Sequence, residues 1–193
     1  MRIELIAGQY LDVRESAANT ASVERALKVA RYKSGKYTIE RPLHLGASLA
    51  LTNEAERKDL TNILSAYGLP LGEAFQLRDD MLGIFGDPSV TGKPAGDDIR
   101  EGKRTVLMAM TLERADQASA AKITAALGRE DLTSDQIEEI RALITATGAV
   151  KVVEDLIEGL LSTALTAANS DEIDPSAREL LIELATSATR RSH

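Results

Sequence analysis

Phe75-Gln76-Leu77-Arg78-Asp79-Asp80-Met81-Leu82-Gly83-Ile84-Phe85-Gly86-Asp87 sets two adjacent carboxylates inside a mainly apolar run. On a helix, Gln76, Asp79, Asp80 and Gly83 share one face, because residues three, four and seven apart stack on successive turns. Neighbouring carboxylates repel and are costly to desolvate unless a cation sits beside them. An isolated Asp-Asp pair is most often a solvated acidic face. The residues C-terminal to this pair favour a different reading. Residues 86–98 hold three glycines, two prolines and three aspartates, the longest irregular stretch of the chain. Such a loop inside a helical protein is often functional. Lys93 stands between Gly92 and Pro94, and Lys103 and Arg104 come directly after Gly102. A lysine ammonium suits phosphate oxygens, and glycines let the backbone come close. Carboxylates that hold a hard cation, joined to lysines that hold phosphate, make a diphosphate site.

The rest of the chain reads as helix. One stripe runs through Val150, Val153, Leu156, Ile157, Leu160, Leu161 and Leu165, and another through Ile137, Ile140, Leu143 and Ile144 behind the capping signal Thr133-Ser134-Asp135. Pro175 stands where a first-turn proline would, ahead of Leu180, Leu181 and Leu184. Gly35 reads as ending one helix, Asn53 as opening another, and Gly68-Leu69-Pro70 as interrupting or kinking the run after Glu54. No stretch alternates with period two, so strands are not expected. The expectation is a single all-α domain over 1–193, with the diphosphate half-site in 1–112 and further helices in 113–193.

Composition narrows the chemistry. Of 193 residues none is cysteine and two are histidine, so a metal site must use oxygen ligands, which points to Mg2+ with Mn2+ as the alternative. A net charge of −7 argues against nucleic acid as a partner. No apolar run approaches the roughly 20 residues of a membrane span, and the start has no secretory pattern, so a cytoplasmic protein is expected. There is no Walker loop and no dinucleotide glycine fingerprint. Lys36 and Arg41 read as a solvated face, and His44 as a packed or capping histidine rather than a general base.

The run Phe75 to Asp80, together with Thr91-Gly92-Lys93-Pro94-Ala95-Gly96-Asp97-Asp98-Ile99-Arg100-Glu101-Gly102-Lys103-Arg104-Thr105 beyond it, closely resembles the trans-isoprenyl diphosphate synthases, of geranylgeranyl or polyprenyl type. Gly8-Gln9-Tyr10-Leu11-Asp12 and Lys33-Ser34-Gly35-Lys36-Tyr37 agree with that family in order and spacing. The resemblance implies the isoprenoid synthase fold, a helical bundle here incomplete at its N-terminus. It implies prenyl transfer from an allylic diphosphate to isopentenyl diphosphate. Asp79 would be a direct magnesium ligand, and Asp80 would support the metal's waters. Lys33, Lys93 and Lys103 would clamp the allylic diphosphate, and Ser34 would lie near the developing carbocation. Gln9, Asp12 and Gln76 would line the same cavity, while Tyr37 and Phe75 would face the prenyl chain. Asp98 matches an aspartate near the metal, and with Asp97 it would also position the loop.

Two departures stand out. Many relatives end the second motif on a third aspartate where this chain has Gly83, and Asp87, one turn on, is a possible substitute. Nothing before Gln9 resembles the family's first aspartate-rich motif or its Gly-Lys-Arg site. The expectation is a fragment of a synthase. The alternatives are a non-catalytic or modifying subunit of a heteromeric enzyme, or a chain whose missing helices come from a separate polypeptide. A homodimer or association with another synthase chain is expected on the same basis.

Overall fold

The structure, a computed structural model, describes residues 2–17, 22–92 and 96–190, and these are helices joined by short connections. In order they are α1 (Arg2–Ala17), α2 (Val23–Ala30), a π-helix (Arg31–Glu40), α3 (Arg41–Ala50), α4 (Glu54–Phe85), α5 (Pro88–Thr91), α6 (Asp97–Arg100), α7 (Val106–Arg114), α8 (Gln117–Ala126), α9 (Ser134–Ala146), α10 (Ala149–Ala168) and α11 (Pro175–Thr189). Among the described residues there is no strand, as the missing period-two alternation leads one to expect. No helix is long and apolar enough to cross a membrane.

The chain divides into two compact units, neither continuous in sequence. One comprises Met1–Tyr10, Lys28–Gln76 and Leu156–Arg191, and the other Leu11–Leu27 and Leu77–Asp155. Helices α1, α2, α4 and α10 each contribute residues to both.

In the first unit the core gathers Tyr67, Leu71, Leu161, Ala164, Ala168 and Ala185, with Ile39, Leu43 and Leu181 against it. Tyr67 is fully enclosed and its hydroxyl donates to the Leu181 carbonyl at 2.8 Å. This burial accounts for the course of α4. The breaker Gly68-Leu69-Pro70 does not end the helix, and Pro70 lies inside it. An internal proline costs about 3 kcal/mol, but Tyr67, Leu71 and Ala74, all buried completely, hold both sides of it in the core. Gly68 serves packing instead: a Cβ there would meet the Glu40 Cα at 3.1 Å. Similarly, Gly35 ends nothing. The chain passes from α2 through the π-helix into α3 without leaving helical backbone, Arg41 N–H bonding five residues back to the Lys36 carbonyl. On α11 the apolar stripe turns outward at Leu180 and Leu184, both exposed, and burial falls on Ala185 and Thr189.

The second unit buries Leu77, Ile84, Ile99, Leu107, Met108, Ile123, Ile137, Ile144 and Val153. Its caps obey the local signals. Thr133 and Gln136 form a reciprocal capping box on α9, and Thr105 accepts from the Met108 N–H at the start of α7. The irregular stretch after α4 is not a wholly open loop, since it contains two short helices, α5 and α6.

Candidate active site

In the first unit the candidate residues gather on the π-helix and the facing part of α4. π-Helical segments are rare and recur at functional sites, because the wider turn redirects side chains. Here the segment carries Lys33, Ser34 and Tyr37. It crosses α4 at two glycines: a Cβ on Gly72 would lie 2.4 Å from the Gly35 Cα. That approach lets Ser34, buried, donate its hydroxyl proton to Gln76 Oε1. Gly8 of α1 approaches the same segment, a Cβ there falling 2.9 Å from the Lys33 N. Lys33, Tyr37, Phe75 and Gln76 are half-buried, whereas Gln9 is exposed. Glu73 and Arg31 belong to this group although no sequence motif marks them. They pair at 3.4 Å, and burial pushes the Glu73 carboxyl up, with Arg31 opposing.

Lys36 and Arg41 do not form a solvated face. Arg41 Nη2 donates to Glu4 Oε1 at 2.5 Å, and Lys36 lies 3.7 Å from both Glu4 and Glu40. His44 is held between Arg41, at 3.2 Å from Nδ1, and Ser65 Oγ, at 2.8 Å from Nε2. Ser65 gives its own proton to Glu40, so Nε2 is the donor to Ser65 and the imidazole is no base for that hydroxyl.

In the second unit α4 presents Asp79, half-buried, and Asp80, 8% exposed. Their helix end is pinned on both sides. Arg78 forms a bidentate pair with Glu154 at 2.7 Å, and Arg141 Nε donates to the Ile84 carbonyl at 2.6 Å. The chain then returns through α6, so that Asp98 packs on Gly83. Lys103 Nζ donates to Asp98 Oδ1 at 2.5 Å and lies 2.9 Å from Glu101 Oε2. Burial, with the charge of Asp79 adding to it, pushes the Asp98 carboxyl up while Lys103 pulls it down. Burial opposes the charge on Lys103, yet its hydrogen bonds to Asp98 and Glu101 outweigh that and hold the ammonium protonated. Asp12 is half-buried in this unit. Lys93 lies outside the described residues.

Asp87 Oδ1 accepts from Ser89 N–H at 2.8 Å and Ser89 Oγ at 2.7 Å, capping α5. Asp98, which the family resemblance had already placed near the metal, has its carboxylate packed on Gly83 of the motif. Among the described residues, no three carboxylate or imidazole groups converge to hold a metal ion by themselves.

The chain matches the sequence model of the polyprenyl synthetase family over residues 1–144. It is 33% identical over 137 residues to a short chain isoprenyl diphosphate synthase of Methanocaldococcus jannaschii, an alignment covering 71% of this chain and 40% of that protein. It is 32% identical over 148 residues to a (2E,6E)-farnesyl diphosphate synthase of Mycobacterium tuberculosis, covering 75% of this chain and 40% of that protein. Among solved structures, a geranylgeranyl pyrophosphate synthase from Corynebacterium glutamicum, complexed with isoprenyl diphosphate and magnesium, superposes with a TM-score of 0.91. It shares 46% identity and covers 99% of this chain and 53% of that one. The chain thus spans about half the length of the relatives it matches.

Proposed function

Since the chain belongs to the polyprenyl synthetase family, we propose that it supplies the second aspartate-rich half-site of a trans-prenyltransferase that joins an allylic diphosphate to isopentenyl diphosphate, of geranylgeranyl or polyprenyl type. The observation that carries this reading is the cluster in the second unit. Asp79 and Asp80 stand on one helix, Asp98 is lodged against that helix, and Lys103 is seated on Asp98. Carboxylates and an ammonium are thereby fixed together on rigid elements.

Magnesium fits this donor set. It is commonly held by one or two carboxylates with the remaining positions filled by water and substrate phosphates. Asp79 would hold it and Asp80 would bond its waters. Bound magnesium would supply Lewis-acid neutralisation of the diphosphate charge. Lys33, Lys93 and Lys103 would bind the diphosphate and stabilise it as the allylic carbon–oxygen bond breaks and the pyrophosphate departs with the electron pair. The allylic cation would then take up the double bond of isopentenyl diphosphate, and loss of a proton would complete the product. Ser34, bonded to Gln76, would present its oxygen near that cation. Tyr37 and Phe75 would line the prenyl chain and offer it their ring faces. Gln9 and Asp12 belong to the same set of polar residues. The exposed Ile3, Ile6 and Tyr10 on α1 support association with a second copy or another synthase chain.

Calorimetry of pyrophosphate binding in Mg2+ tests the reading. Asp79→Ala and Lys93→Ala should each abolish binding, and unchanged affinity in both would refute it. As a half-site, the chain alone should bind magnesium pyrophosphate yet form no prenyl product; robust turnover by itself would overturn that part.

A further inference from the structure

Helix α6 is four residues long, and a helix so short has little stability of its own, since nucleation costs more than one turn of hydrogen bonds returns. Yet it carries Asp98, and the turn after it brings Lys103 back onto that carboxylate. Its shape is therefore imposed by what it packs on, which is the α8–α9 connection and the first turn of α9. The Gly128 N–H donates to the Ile99 carbonyl at 2.9 Å, and Arg100 Nη2 donates to the Leu132 carbonyl at 3.0 Å. The same Ile99 carbonyl accepts from the Gly102 N–H at 3.1 Å, so each of its two lone pairs is engaged by a different turn. The two turns also meet directly: a Cβ on Gly102 would fall 3.0 Å from the Gly128 Cα and 3.1 Å from its N. At the other end of α6, a Cβ on Gly96 would lie 2.7 Å from Cγ2 of the buried Ile137 on α9. Gly102 and Gly128 both turn through left-handed backbone, at φ +70° and +82°, where a side chain is strained.

We infer that the α8–α9 turn is a backstop for the diphosphate site and that Gly128 is its positioning residue: its N–H fixes the Ile99 carbonyl, and with it the turn on which Lys103 returns to Asp98. The inference deepens the diphosphate function proposed for the chain and rests on it. It gives the helices beyond residue 112 a part in binding, although none of the residues proposed to hold the ligand lies there. Gly128 is exposed and stands far along the chain from every acidic or basic motif. It acts through Lys103, by setting where that ammonium stands.

The test compares Gly128→Ala with Gly148→Ala in the full chain. Alanine at 128 is strained at φ +82° and tips its N–H off the Ile99 carbonyl, while its Cβ clashes with nothing, the Gly102 Cα lying 4.0 Å away. Gly148, in the α9–α10 turn, has a similar φ of +74°, and a Cβ there would meet only Arg114 Nη2, at 3.6 Å, among the described residues. Both variants should lower Tm by a similar amount, about 2–8 °C. Calorimetry of pyrophosphate binding in Mg2+, well below either Tm, should show affinity about three- to ten-fold weaker in Gly128→Ala and unchanged in Gly148→Ala. Amide exchange followed by NMR should be about five-fold faster or more at Gly102 and Lys103 in Gly128→Ala alone, because those N–H groups bond within the turn that loses its backstop. If either readout in Gly128→Ala matches Gly148→Ala, the inference is overturned. Arg100→Met, which removes the donor to Leu132, should move both readouts the same way, and it decides by the same criteria if Gly128→Ala does not fold. If the parent binds no pyrophosphate in Mg2+, the diphosphate reading and the positioning role fall together, while amide exchange still reports whether Gly128 seats the turn.

Discussion

Replacing Gly72 with alanine adds one methyl group at the crossing of the π-helix and α4. That methyl carbon would fall 2.4 Å from the Gly35 Cα, 2.9 Å from the Gly35 N and 3.1 Å from the Ser34 carbonyl oxygen. Ordinary contact requires about 3.5–4.0 Å, so the two segments must part by roughly 1 Å. The opposing atoms are main chain, and no rotamer change relieves them. Overpacking of this kind costs about 1–3 kcal/mol, and rigid neighbours place this case toward the upper end. Alanine in place of glycine inside a helix returns about 0.5–1 kcal/mol. The net expectation is a loss of about 1–2 kcal/mol, which for a chain of this size lowers Tm by about 2–8 °C. Parting the segments also stretches the Ser34–Gln76 hydrogen bond. Gly159→Ala is the matched control, because nothing lies within 4 Å of a Cβ at that position on α10. It should raise Tm by about 1–4 °C. Thermal and urea denaturation of the three proteins at one pH settle the comparison. If Gly72→Ala is as stable as Gly159→Ala, the two segments do not meet backbone to backbone and the reasoning is refuted.

Three further perturbations each probe a single contact. The hydrogen bonds of Arg41 hold the Glu4 carboxyl at about 2, against its usual 4.5 and against the opposing effect of burial. Because the folded value is the lower one, the stabilisation is complete above pH 4.5 and is lost as pH falls toward 2. Glu4→Gln should therefore flatten the acid limb of the stability profile in that window, and an unchanged slope would contradict it. Tyr67→Phe removes the bond to the Leu181 carbonyl and should cost about 0.5–1.5 kcal/mol, or about 1–6 °C in Tm. Burial pushes the Tyr67 hydroxyl to about 12, so a late component in the ultraviolet tyrosine titration should vanish in the same variant. Thr133→Ala breaks the capping box of α9 and should destabilise by about 1 kcal/mol in urea titration; a neutral result would mean that the cap contributes nothing to the fold.

What could be read from the sequence is what depends on neighbours along the chain. Thr133 and Asn53 are caps where their polar side chains precede apolar periodicity, and Pro175 begins a helix where a missing N–H costs nothing. Asp79 and Asp80 share a turn of α4 because helical spacing puts them there. Readings that failed depend on partners distant in sequence. Local propensity makes Pro70 an interruption or a kink; enclosure of Tyr67, Leu71 and Ala74 carries the helix through it without an interruption. Lys36 and Arg41 look like surface cations until Glu4, on another helix, is placed against them. The π-helix has no sequence signature, and Gly35 inside it looks like a terminator.

The glycines show why these errors share one cause. Considered alone, a glycine is a point where the backbone is free, so it invites a boundary. In this chain Gly8 and Gly72 instead lie where another segment comes too close for a side chain, and Gly35 and Gly68 lie where it packs tightly. At Gly83 the close neighbour is a side chain instead, a Cβ there falling 2.2 Å from Asp98 Oδ2. The motif, Asp98 included, was therefore legible as a set of residue types, whereas the packing of Asp98 on Gly83 depends on a turn of chain that no local pattern marks.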